Sequence, residues 1–285
     1  MSGDDKEIYL QPIDDGLPMR MGESYAVPKL KVVELYLQMA MNAVKDNPWR
    51  ATYYIDLQAG PGKNNLGGTV ALGSPLIALS CPVPFQYYRF NEADSDLVKA
   101  LKKRVSASPL RKHTRILQMD VNLAVEDFCD EIKRRDELFM RGKWSSFNIA
   151  FLDPEGLELH WSTVEKLGNM KRMDLIINFS TGGLNRTRLT SPDVGNRFFG
   201  TDEWQKLVPG HADAATKRRA WIDFYLKRLT DLGYKYQTDD QESAEIIAKN
   251  SKNVQVYSII FASKHDLGFQ LWKEAIRLAQ QPRLF

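Results

Sequence analysis

The chain has 285 residues, of which 43% are hydrophobic and 26% charged, and its formal net charge is +3. These values are typical of a soluble globular protein, and the small charge permits nucleic-acid binding through a local patch without arguing for it. The sequence excludes a membrane-spanning helix, which needs roughly 20 consecutive apolar residues, and its polar, acidic N-terminus excludes a secretory signal.

Two cysteines, Cys81 and Cys129, are too few for a disulfide framework or a thiolate metal site. The four histidines lie far apart in sequence and show no metal-ligand spacing. We therefore expect idle thiols, no bound metal and a cytoplasmic location.

The first part of the chain, residues 1–24, carries Pro, Gly and Asp without apolar periodicity, which predicts a flexible N-terminal lead-in. The remainder, 25–285, is predicted to be a single domain. It opens with a helix over 28–44, because its apolar residues recur on one face at helical spacing.

Strands and helices then alternate along the chain. The predicted strands are 52–57, 85–90, 114–119, 147–152 and 174–179, and the helices between them begin near Ser74 and span 94–105, 122–138 and 161–170. Such alternation predicts a Rossmann-like α/β domain, in which a mostly parallel sheet is flanked by helices. A helix over 214–232, strands over 234–238 and 254–263, and a helix over 269–279 close the predicted domain.

The segment 180–213 follows the fifth predicted strand and has no clear period, so we expect an insertion or lid over the carboxyl edge of the sheet. Arg186 and Arg188 lie in it beside aromatic residues, a combination that suits an anionic, partly apolar ligand such as a nucleic acid or an acidic peptide. A surface loop whose aromatics pack on the domain is an equal alternative. By contrast, the basic run 102–104 is expected to be a solvated helix face.

A glycine-rich turn follows the first predicted strand, in the order Asp56, Ala59, Gly60, Gly62. Glycines without a Cβ let the backbone approach a ligand closely, although a plain tight turn is the alternative. Ligands of such sheets bind at the carboxyl ends of the strands, near the point where strand order reverses.

Further acidic residues follow the next strands. Glu92 can accept both ribose hydroxyls of a nucleoside, and Asp120 can accept from an adenine amino group. Each could instead cap the next helix. Asp153, followed by Pro154, can orient a nucleophilic nitrogen, whereas an ordinary Asp-Pro turn is its alternative.

At these residues the chain resembles the three-Cys-motif partner proteins, a bacterial family placed near the class I methyltransferases. The matching stretches are YAVPKLKVVELYLQMAM, YYIDLQAGPG, GSPLIAL, FNEAD, LQMDVN, FLDPEGLELHW, DLIINF and YSIIFASKHDLGF. The resemblance implies a class I methyltransferase fold that binds S-adenosylmethionine, with Asp56, Gly60 and Gly62 at its methionine part. It also implies a partner protein that carries the three-Cys motif.

Two functions remain open from the sequence. The first is an S-adenosylmethionine-dependent methyltransferase of nitrogen or oxygen, in which Asp153 orients the acceptor. The second is a non-catalytic or regulatory partner that keeps the fold and binds a neighbouring gene's product or nucleic acid. Glu155 and Gly156 replace the second Pro and the aromatic of amino-methyltransferase motifs, which argues against methylation of a flipped base.

Overall fold

A computed structural model describes residues 8–24, 26–46, 51–140, 146–180, 184–235, 245–249 and 255–281. The strands are β1 (Arg20–Gly22), β2 (Thr52–Asp56), β3 (Lys63–Leu66), β4 (Thr69–Leu72), β5 (Tyr87–Asn91), β6 (Thr114–Leu117), β7 (Phe147–Leu152), β8 (Met173–Ser180), β9 (Glu245–Lys249) and β10 (Gln255–Ala262). The helices are α1 (Ala26–Val44), α2 (Ser74–Leu79), α3 (Ser95–Ser106), α4 (Val121–Met140), α5 (Trp161–Gly168), α6 (Leu184–Thr190), α7 (Pro192–Phe199), α8 (Ala214–Asp231) and α9 (Asp266–Ala279).

The main sheet has seven strands in the order β6-β5-β2-β7-β8-β10-β9. The first five are parallel, and β10 runs antiparallel to both of its neighbours. Strand order reverses at β2, because the chain first builds outward to β5 and β6 and later returns to β7 on the other side. A crevice forms at such a reversal, at the carboxyl ends of the strands. The predicted mostly parallel sheet is confirmed.

Two hydrophobic cores fill the two faces of this sheet, because successive residues of a strand point to opposite faces. Tyr53 and Ile55 face the core under α4, α5, α7 and α8, whereas Tyr54 faces the core under α1, α2, α3 and α9. The predicted apolar face of α1 is buried, with Tyr36 and Leu37 fully inaccessible. The flanking helix layers are therefore held by apolar burial on both sides.

Several elements differ from the sequence prediction. The sequence pattern predicts no strand between residue 57 and the helix near Ser74, but β3 and β4 form a hairpin there. Gly67 and Gly68 supply the two left-handed residues of its turn, at φ +62° and +91°. The last strand pair is formed by β9 and β10. Only the start of the predicted strand 234–238 lies within the described residues, where Lys235 forms an isolated bridge to Ser263.

Residues 8–24 belong to the predicted flexible lead-in, but the structure packs them on the domain. β1 pairs in parallel with β3, and Tyr9 is buried. The carboxylate of Asp15 accepts hydrogen bonds from Arg104 at 2.6 and 2.9 Å and pairs with Lys63 at 3.0 Å. This long-range ion pair fixes a segment whose local sequence shows no periodicity.

Arg104 is buried, whereas Lys102 and Lys103 are exposed, so the expectation of a solvated face holds for the two lysines and is wrong for Arg104. Its side chain is 1% exposed, and it also donates to the carbonyl oxygens of Pro18 and Pro61. Burial alone would raise the pKa of Asp15, but the hydrogen bonds from Arg104 and Lys63 outweigh it and hold the pKa well below its usual range.

Both cysteines are buried. Burial raises the pKa of the Cys81 thiol to about 12 and that of the Cys129 thiol to about 11. No helix in the described ranges has the length and apolar character required to cross a membrane.

We expect Asp15→Ala to lower the free energy of unfolding by about 3 kcal/mol, because it leaves two buried cations without their counter-charge. Urea denaturation measures this change. Asp96→Ala is the matched control, since it removes the exposed carboxylate that pairs with Lys99 on the surface of α3. Equal unfolding midpoints for the two variants would contradict a stabilising role for the buried network.

Candidate functional site

The carboxyl edge of the sheet contains two small cavities at the reversal point. The first, of about 170 Å³, is lined by Leu57, Asn91, Glu92, Asp120 and Val121 among others. The second, of about 110 Å³, is lined by Lys29, Ala59, Gly60, Gly73 and Ser74 among others. Arg20, Gln58 and Asp153 line both cavities, so they form one continuous region of the molecular surface.

The glycine-rich turn borders the second cavity. Gly60 has φ +62° and Gly62 has φ +91°, conformations that side-chain-bearing residues rarely adopt. The amide of Gly60 donates to Glu92 Oε2 at 2.9 Å, and the amide of Ala59 donates to the carbonyl of Asn91 at 2.8 Å. The turn is therefore held against the end of β5, with its backbone lining the cavity.

Glu92 is buried and fixed from several sides. Besides the Gly60 amide, it accepts from the amide of Asp94 at 3.0 Å and from Arg20 Nη2 at 3.1 Å. Asp94, not Glu92, caps α3, because its own carboxylate accepts from two amides of the first helical turn. The helix-cap alternative for Glu92 is therefore wrong, and its carboxylate lines the first cavity instead.

Asp120 makes the contact of a helix cap and also lines a cavity. Its carboxylate accepts from the amide of Asn122 at 2.8 Å, at the start of α4, as a helix cap does. The residue is also exposed and lines the first cavity together with Glu92.

Asp56 lies at the end of β2 and is inaccessible to solvent. Ser74 Oγ donates to its Oδ2 atom at 2.5 Å, and the amide of Gln58 donates to its Oδ1 atom at 3.3 Å. Burial raises the pKa of Asp56 to about 7 despite these hydrogen bonds. The carboxyl group therefore titrates close to neutral pH.

Asp153 lies just beyond β7 and is held by two side chains that the sequence prediction missed. Lys29 Nζ contacts both carboxylate oxygens, at 2.7 and 2.8 Å, and Asn178 Nδ2 donates to Oδ1 at 2.6 Å. Lys29 itself is 7% exposed. Pro154 is buried and holds the chain where it leaves the strand.

Four functional side chains were missed from the sequence, and two of them left a signal. Lys29 interrupts the buried face of α1, and Asn178 interrupts an apolar strand. Ser74 is the first residue of α2, after the cap residue Gly73, and its hydroxyl donates to Asp56. Arg20, which pairs with Glu92 and with Glu155, comes from the predicted lead-in.

The segment 180–213 contains α6, α7 and a 3-10 turn over Glu203–Lys206. Its aromatics Phe198, Phe199 and Trp204 are inaccessible and pack in the core, as the alternative interpretation of this segment expected. Arg186 and Arg188 both lie on α6. The side chain of Arg186 falls outside the described residues, and Arg188 is half-buried.

No cluster of His, Cys, Asp and Glu suited to a metal ion occurs among the residues that the structure describes.

Comparisons with known proteins bear on the fold. No protein-family model matches the chain, and no curated protein matches its sequence. The structure of protein LPL1258 from Legionella pneumophila, of the DUF519 family, superposes with a TM-score of 0.51 at 9% identity, over 89% of this chain and 93% of that one.

Two further solved structures show lower similarity. The O-methyltransferase TomG from Streptomyces achromogenes, in complex with S-adenosylmethionine, gives a TM-score of 0.42 at 10% identity, over 84% of this chain and 80% of that one. A protein from Klebsiella pneumoniae that is provisionally described as an O-methyltransferase gives a TM-score of 0.39 at 9% identity, over 86% of this chain and 91% of that one.

The chain has the Rossmann-like α/β fold that the sequence predicted, a mostly parallel sheet flanked by helices. Its strand order and the likeness to the Legionella protein establish the fold alone. Membership of the three-Cys-motif partner family stays a prediction.

The raised pKa of Asp56 predicts a pH dependence of stability. Between about pH 4 and pH 7 the folded protein keeps a proton on Asp56 that the unfolded chain loses, so the free energy of unfolding falls as the pH rises through this range. Asp56→Asn should flatten this slope by up to about 1.4 kcal/mol per pH unit. Urea unfolding at a series of pH values measures it, with Glu137→Gln on the exposed face of α4 as the control. An unchanged slope in Asp56→Asn would show that this carboxyl titrates normally.

Proposed function

We propose that the chain binds S-adenosylmethionine at the carboxyl edge of the sheet and transfers its methyl group to a nitrogen or oxygen acceptor. The observation that carries this proposal is the buried Glu92. Its carboxylate is oriented by the amides of Gly60 and Asp94 and lines the cavity that Asp120 also lines. A carboxylate at the end of the second parallel strand is the group that binds ribose hydroxyls in related α/β folds.

The residues at this edge fit an adenosine-type cofactor. Glu92 would hold the ribose and Asp120 the adenine, while Ala59 and Gly60 would border the methionine part. Asp56 and Gly62 are buried and line neither cavity, so they would act only by holding the shape of the turn. Gly62 leaves the turn compact, because a Cβ there would lie 3.1 Å from the Leu76 side chain in addition to being strained. At Gly60 a Cβ would lie 3.5 Å from Arg20 Nε, so the backbone of the turn borders the second cavity there without a side chain of its own.

Arg20 has to move for a cofactor to bind. Ligand pockets usually measure roughly 300–1,000 Å³, and the two cavities are smaller and meet at Arg20. The guanidinium pairs with Glu92 and Glu155, yet its Nε atom is buried without a hydrogen-bond partner among the described residues. Departure of Arg20 from Glu92 would both join the cavities and free the ribose-binding oxygen.

Asp153 is the residue proposed to orient the acceptor. When bound, the cofactor supplies an electrophilic methyl group, so the chain's main task is positioning. Asp153 Oδ1 accepts from Lys29 and Asn178, and Lys29 is the hydrogen-bond donor to Oδ2 in the described structure. Oδ2 therefore keeps a lone pair that can accept an N–H or O–H of the acceptor and align its nucleophilic atom. Arg186 and Arg188 lie on α6, the helix that follows β8, and are proposed to contact the acceptor.

A second candidate function is a non-catalytic partner protein. The specific observation in its favour is that cations from the chain itself, Arg20 and Lys29, pair with Glu92 and Asp153, the two carboxylates that a methyltransferase would use. Such a protein would keep the fold and bind another protein, for which the three-Cys-motif protein is the candidate, or a nucleic acid.

We expect S-adenosylmethionine and its demethylated product to bind with micromolar affinity, and Glu92→Gln to weaken that binding at least tenfold. Losing a charge-assisted hydrogen-bond pair costs about 1.5–3 kcal/mol. Titration calorimetry measures both ligands. Glu155→Gln is the matched control, because it also removes a partner of Arg20 but leaves the proposed ribose carboxylate intact. Absence of binding to the parent protein would refute the cofactor site.

We expect Asp153→Asn to keep cofactor affinity within a few-fold of the parent while lowering methyl transfer at least 100-fold, as for the loss of a group that acts on the acceptor. The measurement is transfer of a labelled methyl group to the protein, RNA and DNA fractions of a bacterial extract. If the parent binds the cofactor but labels none of the fractions, with the three-Cys-motif protein present, the result favours the non-catalytic function.

A further inference from the structure

A groove lies between α5, α7 and α8, apart from the two cavities at the glycine-rich turn. It measures about 680 Å³, and its lining includes His160, Trp161, Gly200 and Arg228. It begins where the chain following Asp153 enters α5. The proposed methyl transfer uses none of these residues, yet Trp161 and Arg228 each carry a buried donor nitrogen without a hydrogen-bond partner among the described residues.

Trp161 is the first of these donors. The residue is 4% exposed, and its Nε1 atom has no hydrogen-bond partner in the described part of the chain. Two neighbouring tryptophans behave differently. Trp204 Nε1 donates to Asn196 Oδ1 at 2.9 Å, and Trp221 Nε1 donates to the carbonyl of Trp204 at 3.2 Å. Because a buried N–H without an acceptor is costly, the exception at Trp161 calls for a group from outside the chain.

Arg228 is the second donor. Its guanidinium stacks on the Trp161 ring, 4.2 Å from the ring centroid. Stacking explains where the guanidinium lies, but it does not satisfy the hydrogen-bonding capacity of Nη1. This atom is buried without a hydrogen-bond partner among the described residues. The side chain as a whole is half-buried, and Arg228 lines the groove together with Trp161.

The backbone around these two side chains also favours an anion. His160 precedes α5 and makes no side-chain cap hydrogen bond, so its side chain does not satisfy the amides of the first turn. Gly200 passes over the pair with φ +69°. A Cβ there would lie 2.7 Å from Trp161 Cδ1 and 2.8 Å from Arg228 Nη1. The approach of the chain to this donor pair thus requires glycine.

The charges at the rim limit which anions can enter. Glu165, Asp193 and Asp202 are exposed around the groove, opposite Arg197. Three carboxylates against one arginine make this rim net negative, which disfavours a nonspecific polyanion, whereas a small group with several acceptor oxygens can still gain hydrogen bonds from the donors at the floor. We propose that this groove binds a phosphate group, with its oxygens accepting from Arg228, Trp161 Nε1 and the first turn of α5.

Nuclear magnetic resonance of the indole N–H groups tests this proposal on the full chain without cofactor, so its outcome is independent of the methyltransferase proposal. Inorganic phosphate, titrated at constant ionic strength, should shift the Trp161 indole signal saturably and leave that of Trp204 in place. The loss of one signal in Trp161→Phe identifies the Trp161 resonance. Arg228→Gln should weaken phosphate binding at least tenfold, and Arg228→Lys should give an intermediate affinity. Lys227→Gln, at the adjacent exposed position of α8, should bind like the parent.

Three further arms decide the assignment. If phosphate does not move the Trp161 signal, the phosphate site is refuted. It is also refuted if acetate shifts this signal as strongly as phosphate does. A single-stranded oligonucleotide that binds at least tenfold more tightly than inorganic phosphate, with strong salt dependence, would identify a nucleic-acid backbone as the source of the phosphate. A nucleoside monophosphate that equals the oligonucleotide would identify a small phosphorylated molecule.

Discussion

The geometry of the carboxyl edge depends on the hydrogen bonds that the buried guanidinium of Arg104 donates. This guanidinium holds Asp15 of the N-terminal segment and the carbonyl of Pro61 inside the glycine-rich turn at the same time. Since a buried arginine is tolerated only when its donors are paired, the segment and the turn are fixed relative to each other. That fixation places β1, and with it Arg20, against Glu92. The N-terminal segment thus forms one side of the candidate site through Arg20.

The main sheet could be predicted from the sequence because its strands are apolar runs separated by amphipathic helices, and both patterns are local. The hairpin of β3 and β4 could not, since its strands are short and one of them, Lys63–Leu66, is mostly polar. The gathering of Asp56, Glu92 and Asp153 was also predictable, because parallel strands end at one edge. Their cationic partners were not, since Arg20 and Lys29 reach that edge from elements outside the alternating pattern.

The three carboxyl groups of the candidate site differ in how their charge is stabilised. Asp56 has no cationic hydrogen-bond partner within the described residues and keeps its proton to near neutral pH, whereas Glu92 and Asp153 are paired with cations. A ligand that replaces Arg20 at Glu92 would have to exchange one set of charge-assisted hydrogen bonds for another. Affinity would then reflect a difference between two similar interactions, and specificity would come from the shape of the joined cavities.

The burial of both cysteines has a practical consequence for following these events. A thiol reacts as the thiolate, so Cys81 and Cys129, with pKa values raised to about 12 and 11 and little access to solvent, should remain inert to maleimide reagents while the protein is folded. A single cysteine introduced on an exposed helix would therefore accept a fluorescent dye without removal of the native residues. Two cysteines introduced in this way, one on β1 and one on a helix that surrounds the carboxyl edge, would allow the distance between these elements to be measured.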